Sequence, residues 1–479
     1  MTDRPAASPH LDPDDWDQFR IDAHQALDDM LGNLEQVREG PVWQPAPPEA
    51  RAAFARGLPR APQDLADVLE IFDRAIVPYA NGNRHPLFLG WVHGAGTPVG
   101  MVAEMLAAGL NSNCGGRNHI ALDVERQVVR WAAEMLGFPD SASGVFVTGT
   151  SMANFLAVLV ARDAALGHAV RRQGLRGAPQ LAAYTSAQAH GCIAQAIELA
   201  GIGSDHLRRI PAGADGALRI DLLRQAVAQD RAAGLLPFLV AGTAGTVNTG
   251  AIDDLAGLAD CCRDEKLWFH VDGAFGALCA LSDRLRPRIA GIERADSVAF
   301  DFHKWAHVPY DAGFLLVRDA AMHRGTFAAP AAYLTRAPEG LAAGETWPCD
   351  LGPDLSRGFR ALKTWFTLRV FGADRIAACI EHTCDLAKYL ESEIVRSPAF
   401  EMRAPVTLNI VCFGLKSAAD GEADRRIVTD LHLRGVAAPS ITVLDGRAAI
   451  RCAIVNHRTT AADIDRLIAE LETSAARAG

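Results

Sequence analysis

The run Asp301-Phe302-His303-Lys304-Trp305-Ala306-His307 sets one lysine between two histidines and a tryptophan, with apolar stretches on both sides (residues 297–300 and 313–317). An ammonium group there loses hydration, which favours the neutral amine, a nucleophile toward carbonyl carbon. Three further segments put polar groups at the ends of apolar runs. "VTGTSMANFLAVLVARDAAL" (residues 147–166) passes through small residues into a helical pattern. The backbone N–H groups at Gly149, Thr150 and Ser151, with the positive end of the helix dipole, suit a phosphate. An ordinary Ser/Thr helix cap explains the same residues equally well in isolation. "LWFHVDGAFGAL" ends a strand pattern on Asp272, whose carboxylate among apolar residues calls for a cationic partner. His190 in "SAQAHGCIAQAIELAGI" and Thr243 in "AGTAGTVNTGAIDDL" stand at comparable places.

Two other chemistries compete for these residues. Gly149-Thr150-Ser151-Met152-Ala153 resembles the nucleophile elbow of the α/β-hydrolases, with Ala for the last Gly, and Asp272 and His303 would complete a triad around Ser151. That reading leaves Lys304 without a task. His270, Asp272, His303 and His307 carry metal-ligating groups, but no HExxH glutamate stands between the histidines, so no metal is expected.

The elements that must position these groups alternate. Strand patterns at residues 144–149, 181–186, 237–245, 267–274, 297–302 and 313–317 are separated by helical stretches such as 151–166 and 220–233. That alternation predicts an α/β fold with a mostly parallel sheet covered on both faces, and such sheets gather ligands at the carboxyl ends of their strands. Before it, residues 14–39 and 62–79 read as helices broken by a proline-rich "GPVWQPAPPEA", too thin to hold a core alone. After it come a helix at 376–392, strands at 408–415 and 448–455 and a helix at 461–475. Three regions are therefore expected: an N-terminal helical segment over 1–89 that packs on a partner subunit, a large domain over 90–365, and a small α+β domain over 366–479. Residues 324–358, rich in Gly, Pro and Ala, read as a functional loop.

With 49% hydrophobic and 22% charged residues among 479, the chain has the composition of a globular protein. A formal net charge of -10 gives no basic surface for nucleic acid or an anionic membrane. No apolar run is long enough to span a bilayer, the first residues lack the pattern of a signal peptide, and the ten cysteines form no C-x-x-C, so a reducing cytoplasm is expected.

An anion cradle, a buried acid, an imidazole and a lysine at the strand ends of one sheet are the set that pyridoxal 5'-phosphate asks for. The ordered segments "AHGCIAQAIELAG", "AGTAGTVNTGAIDDL", "FHVDGAFGA", "DSVAFDFHKW" and "SRGFRALKTWF" resemble the group II pyridoxal-phosphate-dependent amino-acid decarboxylases, most of all the aromatic-L-amino-acid branch, from about His85 to the last helix. The resemblance implies a fold-type I enzyme with a seven-stranded sheet in the large domain. It implies a homodimer with shared active sites, and decarboxylation of an L-amino acid, with an aromatic side chain, through an external aldimine and a quinonoid. It makes Lys304 the attachment lysine, Asp272 the partner of the pyridine nitrogen, His190 the imidazole stacked on the ring and Ala274 the small residue on its other face. Gly149, Thr150, Ser151, Thr243, Asp301 and His303 surround the cofactor, and Tyr333 delivers the proton after CO2 leaves. A tyrosine there favours simple decarboxylation over the oxidative chemistry of aldehyde synthases. Trp91, Val92 and His93 stand at the substrate pocket, and "NSNCGGRNH" (residues 111–119) matches the wall supplied by the partner subunit. Asp301-Phe302 replaces a polar residue and a proline, and the sequence offers no reason for Phe302.

Overall fold

The computed structural model describes residues 10–328, 335–344, 346–417 and 421–478. Seven strands form the large sheet: β1 (Ser143–Val147), β2 (Leu181–Ser186), β3 (Leu207–Ile210), β4 (Leu236–Thr243), β5 (Trp268–Asp272), β6 (Ser297–Asp301) and β7 (Gly313–Val317), in the order β1-β7-β6-β5-β4-β2-β3. The β3–β2–β4–β5–β6 run is parallel, whereas β7 lies antiparallel to both its neighbours, β6 and β1. The reason is the connection: residues 302–312 are too few for the helical crossover a parallel return requires. That same short connection carries Lys304. Every residue of β1, β2, β6 and β7 is buried, as strands covered on both faces must be, which is why they read as unbroken apolar runs.

With β7 reversed, β1, β2, β4, β5 and β6 all point their carboxyl ends at one edge of the sheet. Gly149 to Ser151, His190, Thr243, Asp272 and Asp301 to Lys304 follow those ends. Two glycines permit the closure: a Cβ on Gly313 would stand 2.3 Å from the Cα of Gly149, so the start of β7 and the turn after β1 touch through bare backbone.

A second, wholly antiparallel sheet has the order β10-β11-β9-β8, from β8 (Phe400–Met402), β9 (Ile410–Leu415), β10 (Ser440–Leu444) and β11 (Arg447–Ala453). The helices Glu422–Leu433 and Ala461–Ala478 pack on each other and share its apolar core. The helix expected at 376–392 is the second half of a longer one, Arg360–Arg396, interrupted at Gly372 by its positive φ. The sequence missed β3, β8 and β10, which are short or partly exposed. Helix Trp16–Glu35 falls inside the expected 14–39, opened by Asp15, whose Oδ1 accepts the N–H groups of Asp17 and Gln18. The second N-terminal helix is shorter than expected, Leu65–Ala75, because Pro78 sits in the turn of 3-10 helix that follows.

Phe302, unexplained in the sequence, closes an aromatic cluster. Its ring lies 4.9 Å from Phe300, 5.7 Å from Phe314 and 5.9 Å from Phe146, centroid to centroid. Residues from β1, β6 and β7 thereby anchor the root of the Lys304 loop. Trp305 anchors the other side, edge-on to Phe275 at 5.3 Å and donating its Nε1–H to Thr383 Oγ1 at 3.1 Å.

Candidate active site

A cavity of 340 Å³ opens at the shared strand edge. Gly149, Thr150 and Ser151, His190, Thr243, Asp272 and Ala274, Asp301, His303 and Lys304, and Trp91, Val92 and His93 all line it. Tyr333 lies outside the described residues. Sequence reasoning missed Thr148, Cys192, Gly245, Val247, Phe275 and Tyr310, which also line it. Tyr310 and Phe275 come from irregular segments, where no periodicity marks a buried ring.

Asp272 ends β5 and is 4% exposed. Its Oδ1 accepts the Ala274 N–H at 3.2 Å and its Oδ2 accepts Asn154 Nδ2–H at 3.1 Å, with the Cys192 thiol 3.7 Å away. Among the described residues no Lys, Arg or His nitrogen lies within 4 Å of it. Burial raises its pKa above the ordinary carboxylate value, and the Lys304 charge pulls partly the other way. A buried acid of raised basicity with no contacting cation of its own fits a protonated pyridine nitrogen.

Asn154 reaches Asp272 from the second turn of helix Thr150–Leu166 and belongs to a directed chain of hydrogen bonds. Trp268 Nε1–H donates to Ser297 Oγ at 2.9 Å, and Ser297 lies 2.8 Å from His270 Nδ1. His270 Nε2 lies 2.8 Å from Asn154 Oδ1. Asn154 spends its N–H on the Asp272 carboxylate, so its Oδ1 can only accept and the order is fixed from that end: Nε2–H donates to Asn154, and the Ser297 O–H donates to Nδ1. Burial pushes His270 down to about 3, so its ring is neutral and carries one proton, as that order requires. The signal for Asn154 was present in the sequence, one amide in an otherwise apolar helical run.

Helix Thr150–Leu166 has Gly149 at its N-cap, which has no side chain to cap it, so the ordinary Ser/Thr cap is not what is found. Thr150 Oγ1 and Thr243 Oγ1 are buried without hydrogen-bond partners among the described residues. Two unsatisfied hydroxyls and a helix N-terminus around one cavity are what a phosphate would satisfy. Asp253 holds Thr243 in place, accepting its N–H at 2.8 Å and that of Leu218 at 2.7 Å; burial pushes Asp253 up to about 6.

The Lys304 side chain is 22% exposed, and its Nζ lies 3.0 Å from Asp301 Oδ2. The sequence suggested a desolvated amine; the structure adds a counter-ion, because β6 ends three residues earlier and its last side chain turns to the same cavity. His303 accepts the Ala312 N–H on Nδ1 at 3.0 Å and places Nε2 3.6 Å from Asp301. Burial drives His303 down to about 4, with Asp301 opposing. With both ring nitrogens directed at Ala312 and Asp301, His303 forms no triad with Ser151. His190 stands exposed at the mouth, accepting the Cys192 N–H on Nδ1 at 3.1 Å.

The Trp91–His93 segment forms an aromatic rim. Trp91 and His93 stack at 6.1 Å, and Tyr310 meets His93 edge-on at 6.0 Å and lies 4.3 Å from the His303 ring. Arg451 of β11 fixes this rim, donating to Gly90 O at 2.5 Å and to Val247 O at 2.9 Å. Residues 111–119 do not line the cavity of their own chain; Cys114 N–H donates to Arg357 O at 2.8 Å.

Residues 47–416 match the family model described as pyridoxal-dependent decarboxylase conserved domain. An aromatic-L-amino-acid decarboxylase of Bacillus atrophaeus is 32% identical over 470 residues, covering 96% of each chain. A phenylacetaldehyde synthase of Arabidopsis thaliana is 28% identical over 93% of each. The crystal structure of Oryza sativa TDC with PLP and tryptamine superposes with a TM-score of 0.89 at 25% identity, over 98% of this chain and 99% of that one.

Proposed function

The chain belongs to the family of pyridoxal-dependent decarboxylases, and on that premise we propose that its substrate is an L-amino acid with an aromatic side chain, released as the amine and CO2. It is a carboxy-lyase dependent on pyridoxal 5'-phosphate. When bound, that group supplies an aldehyde to condense with amines and a ring that accepts electrons as a carboxylate leaves.

The chain's own residues divide the remaining work. Lys304 offers the amine for attachment. Asp272, held by Asn154 and the Ala274 N–H, keeps a proton on the ring nitrogen. The Thr150 and Thr243 hydroxyls, the first N–H groups of helix Thr150–Leu166 and His303 bind the phosphate. His190 and Ala274 bracket the ring, and Tyr333 delivers the final proton. The observation that carries the reading is the pairing, across one cavity, of a buried carboxylate without a contacting cation and a lysine amine.

The aromatic rim of Trp91, His93 and Tyr310 supports an aromatic substrate, since ring faces and edges pack favourably against one another. The exposed apolar side chains Trp16, Phe19 and Ile21 on the first helix, and Met105, Leu106 and Leu110 on helix Pro98–Leu110, support a homodimer that covers them. The ten free cysteines support a reducing, cytoplasmic setting.

The test is a panel of aromatic and non-aromatic L-amino acids, with CO2, amine, ammonia and peroxide measured together. Amine matching CO2, from aromatic substrates first, is expected. Ammonia and peroxide matching CO2 with little amine would replace this reading by an aldehyde synthase, the activity named for the Arabidopsis thaliana relative.

A further inference from the structure

Asp301 is 2% exposed, and each of its carboxylate oxygens engages a group that one end of the cofactor needs. Oδ1 accepts the backbone N–H of Thr150 at 2.7 Å, the first residue of helix Thr150–Leu166. Oδ2 lies 3.0 Å from Lys304 Nζ. A carboxylate at a helix N-terminus is favoured by the dipole, and a carboxylate beside an amine favours its ammonium form. We propose that Asp301 is an internal competitor of the cofactor: it fills the anion site at the helix terminus and holds the Lys304 amine by direct contact, so that loading pyridoxal phosphate displaces both contacts. This rests on the cofactor reading above and goes beyond the contact role the sequence suggested for Asp301.

Among the described residues nothing offers Asp301 a second counter-charge. On the loop, His303 is neutral, and burial and Asp301 itself raise the Tyr310 phenol, keeping it protonated. Asp311 is paired with Arg360 at 2.7 Å, and Lys363 with Glu104 at 3.0 Å. From β5, Asp272 faces the cavity as a second acid, with the Cys192 thiol, pushed up to about 12, beside it. His93 on the rim is lowered by burial and then by Lys304, and His190 stands at the mouth. Lys304 thus answers two acids, and Asp301 is the one in contact.

Condensation makes the cost explicit. The Lys304 ammonium gives one proton to Asp301 or to solvent. The free nitrogen bonds to the aldehyde carbon, and the carbonyl oxygen leaves as water with the two remaining amine hydrogens. No oxidant or reductant takes part. Asp301 holds the amine by contact and must release it before the nitrogen can reach the aldehyde, and its charge opposes the incoming phosphate.

The experiment compares cofactor-free wild type, Asp301→Asn and Asp301→Ser, each titrated with pyridoxal 5'-phosphate and with pyridoxal, which lacks the phosphate. The visible absorbance of the lysine adduct and its trapping by borohydride give affinity and rate. In both variants the affinity ratio of the phosphorylated over the unphosphorylated aldehyde should rise by about tenfold or more, since a like charge is removed at contact distance. The condensation rate at a fixed pH should rise severalfold, since the amine no longer has to leave the carboxylate. An adduct in wild type with either quantity unmoved in the variants that fold would overturn the proposal alone. No adduct in wild type would overturn the cofactor reading and this proposal together. The serine variant keeps a hydroxyl without the amide, so agreement between the two separates charge from shape.

Discussion

Asn154 Nδ2 donates to Asp272 Oδ2 at 3.1 Å while Asn154 Oδ1 lies 2.8 Å from His270 Nε2, so one amide joins the buried acid of the cavity to a fully buried imidazole. Both its ends are in use. Replacing Asn154 with leucine leaves Asp272 and His270 each short of a partner, and a buried polar group so orphaned costs about 1–3 kcal/mol. Asn154→Leu should therefore lower the stability of the cofactor-free protein by roughly 2–6 kcal/mol in urea unfolding, by the same bookkeeping. A loss under about 1 kcal/mol would show that the chain of hydrogen bonds carries little.

The pH dependence of stability follows from the buried histidines. His270 has a folded pKa of about 3, depressed by burial from an ordinary 6.5. The unfolded chain therefore binds a proton first as pH falls. The stability is fully present above about 6.5, falls as pH drops, and stops falling below the folded value. Each pH unit in that window is about 1.4 kcal/mol for one such group. Burial places His323 and His457 near 4 as well, so they add to the slope. Between pH 6.5 and 5, His270→Gln should lose less stability than wild type by about 2 kcal/mol. Equal losses in both would mean that His270 is protonated in the folded state.

Arg357 and Glu125 form a buried pair at 2.7 Å, 2% and 5% exposed, with the guanidinium also donating to Cys114 O and Phe146 O. Removing one partner leaves an uncompensated charge. Arg357→Met should cost about 3–5 kcal/mol, and adding Glu125→Leu should recover most of it. Chemical unfolding of the three proteins measures this, and a double variant no better than the single would refute it.

Phe302 gives a packing test. Truncating it to alanine opens the cluster with Phe146, Phe300 and Phe314 and should cost about 3–5 kcal/mol, as for other buried aromatics. Because the cluster roots the Lys304 loop, condensation with pyridoxal phosphate should slow in the same variant. Normal loading with lowered stability would separate the two roles.

Lys304, Asp272 and the small-residue turn at 149–151 were legible in the sequence because each breaks an apolar pattern where a strand ends. The second sheet was legible in part, since β9 is apolar throughout and β11 is apolar apart from Arg447 and Arg451, while β8 is three residues long and β10 is partly exposed. Contacts between segments distant in the chain were not legible. Asp301 reads as one more polar residue beside Lys304, and only the fold brings Thr150, 151 positions earlier, onto its carboxylate. Phe302 is likewise explained by Phe146, which no local pattern connects to it. The direction of β7 followed from a loop length that was in plain view.

The hydrogen-bond chain behind Asp272 starts on the Trp268 indole, a group that gives a proton to a hydrogen bond and accepts none. It is a wire with a dead end. Its link to the acid is the Asn154 carboxamide, which does not ionise, so it cannot ferry protons between the solvent and the acid as a water file or a hydroxyl ladder would. Asp272 is insulated from the rear, and any proton it exchanges must travel through the cavity in front.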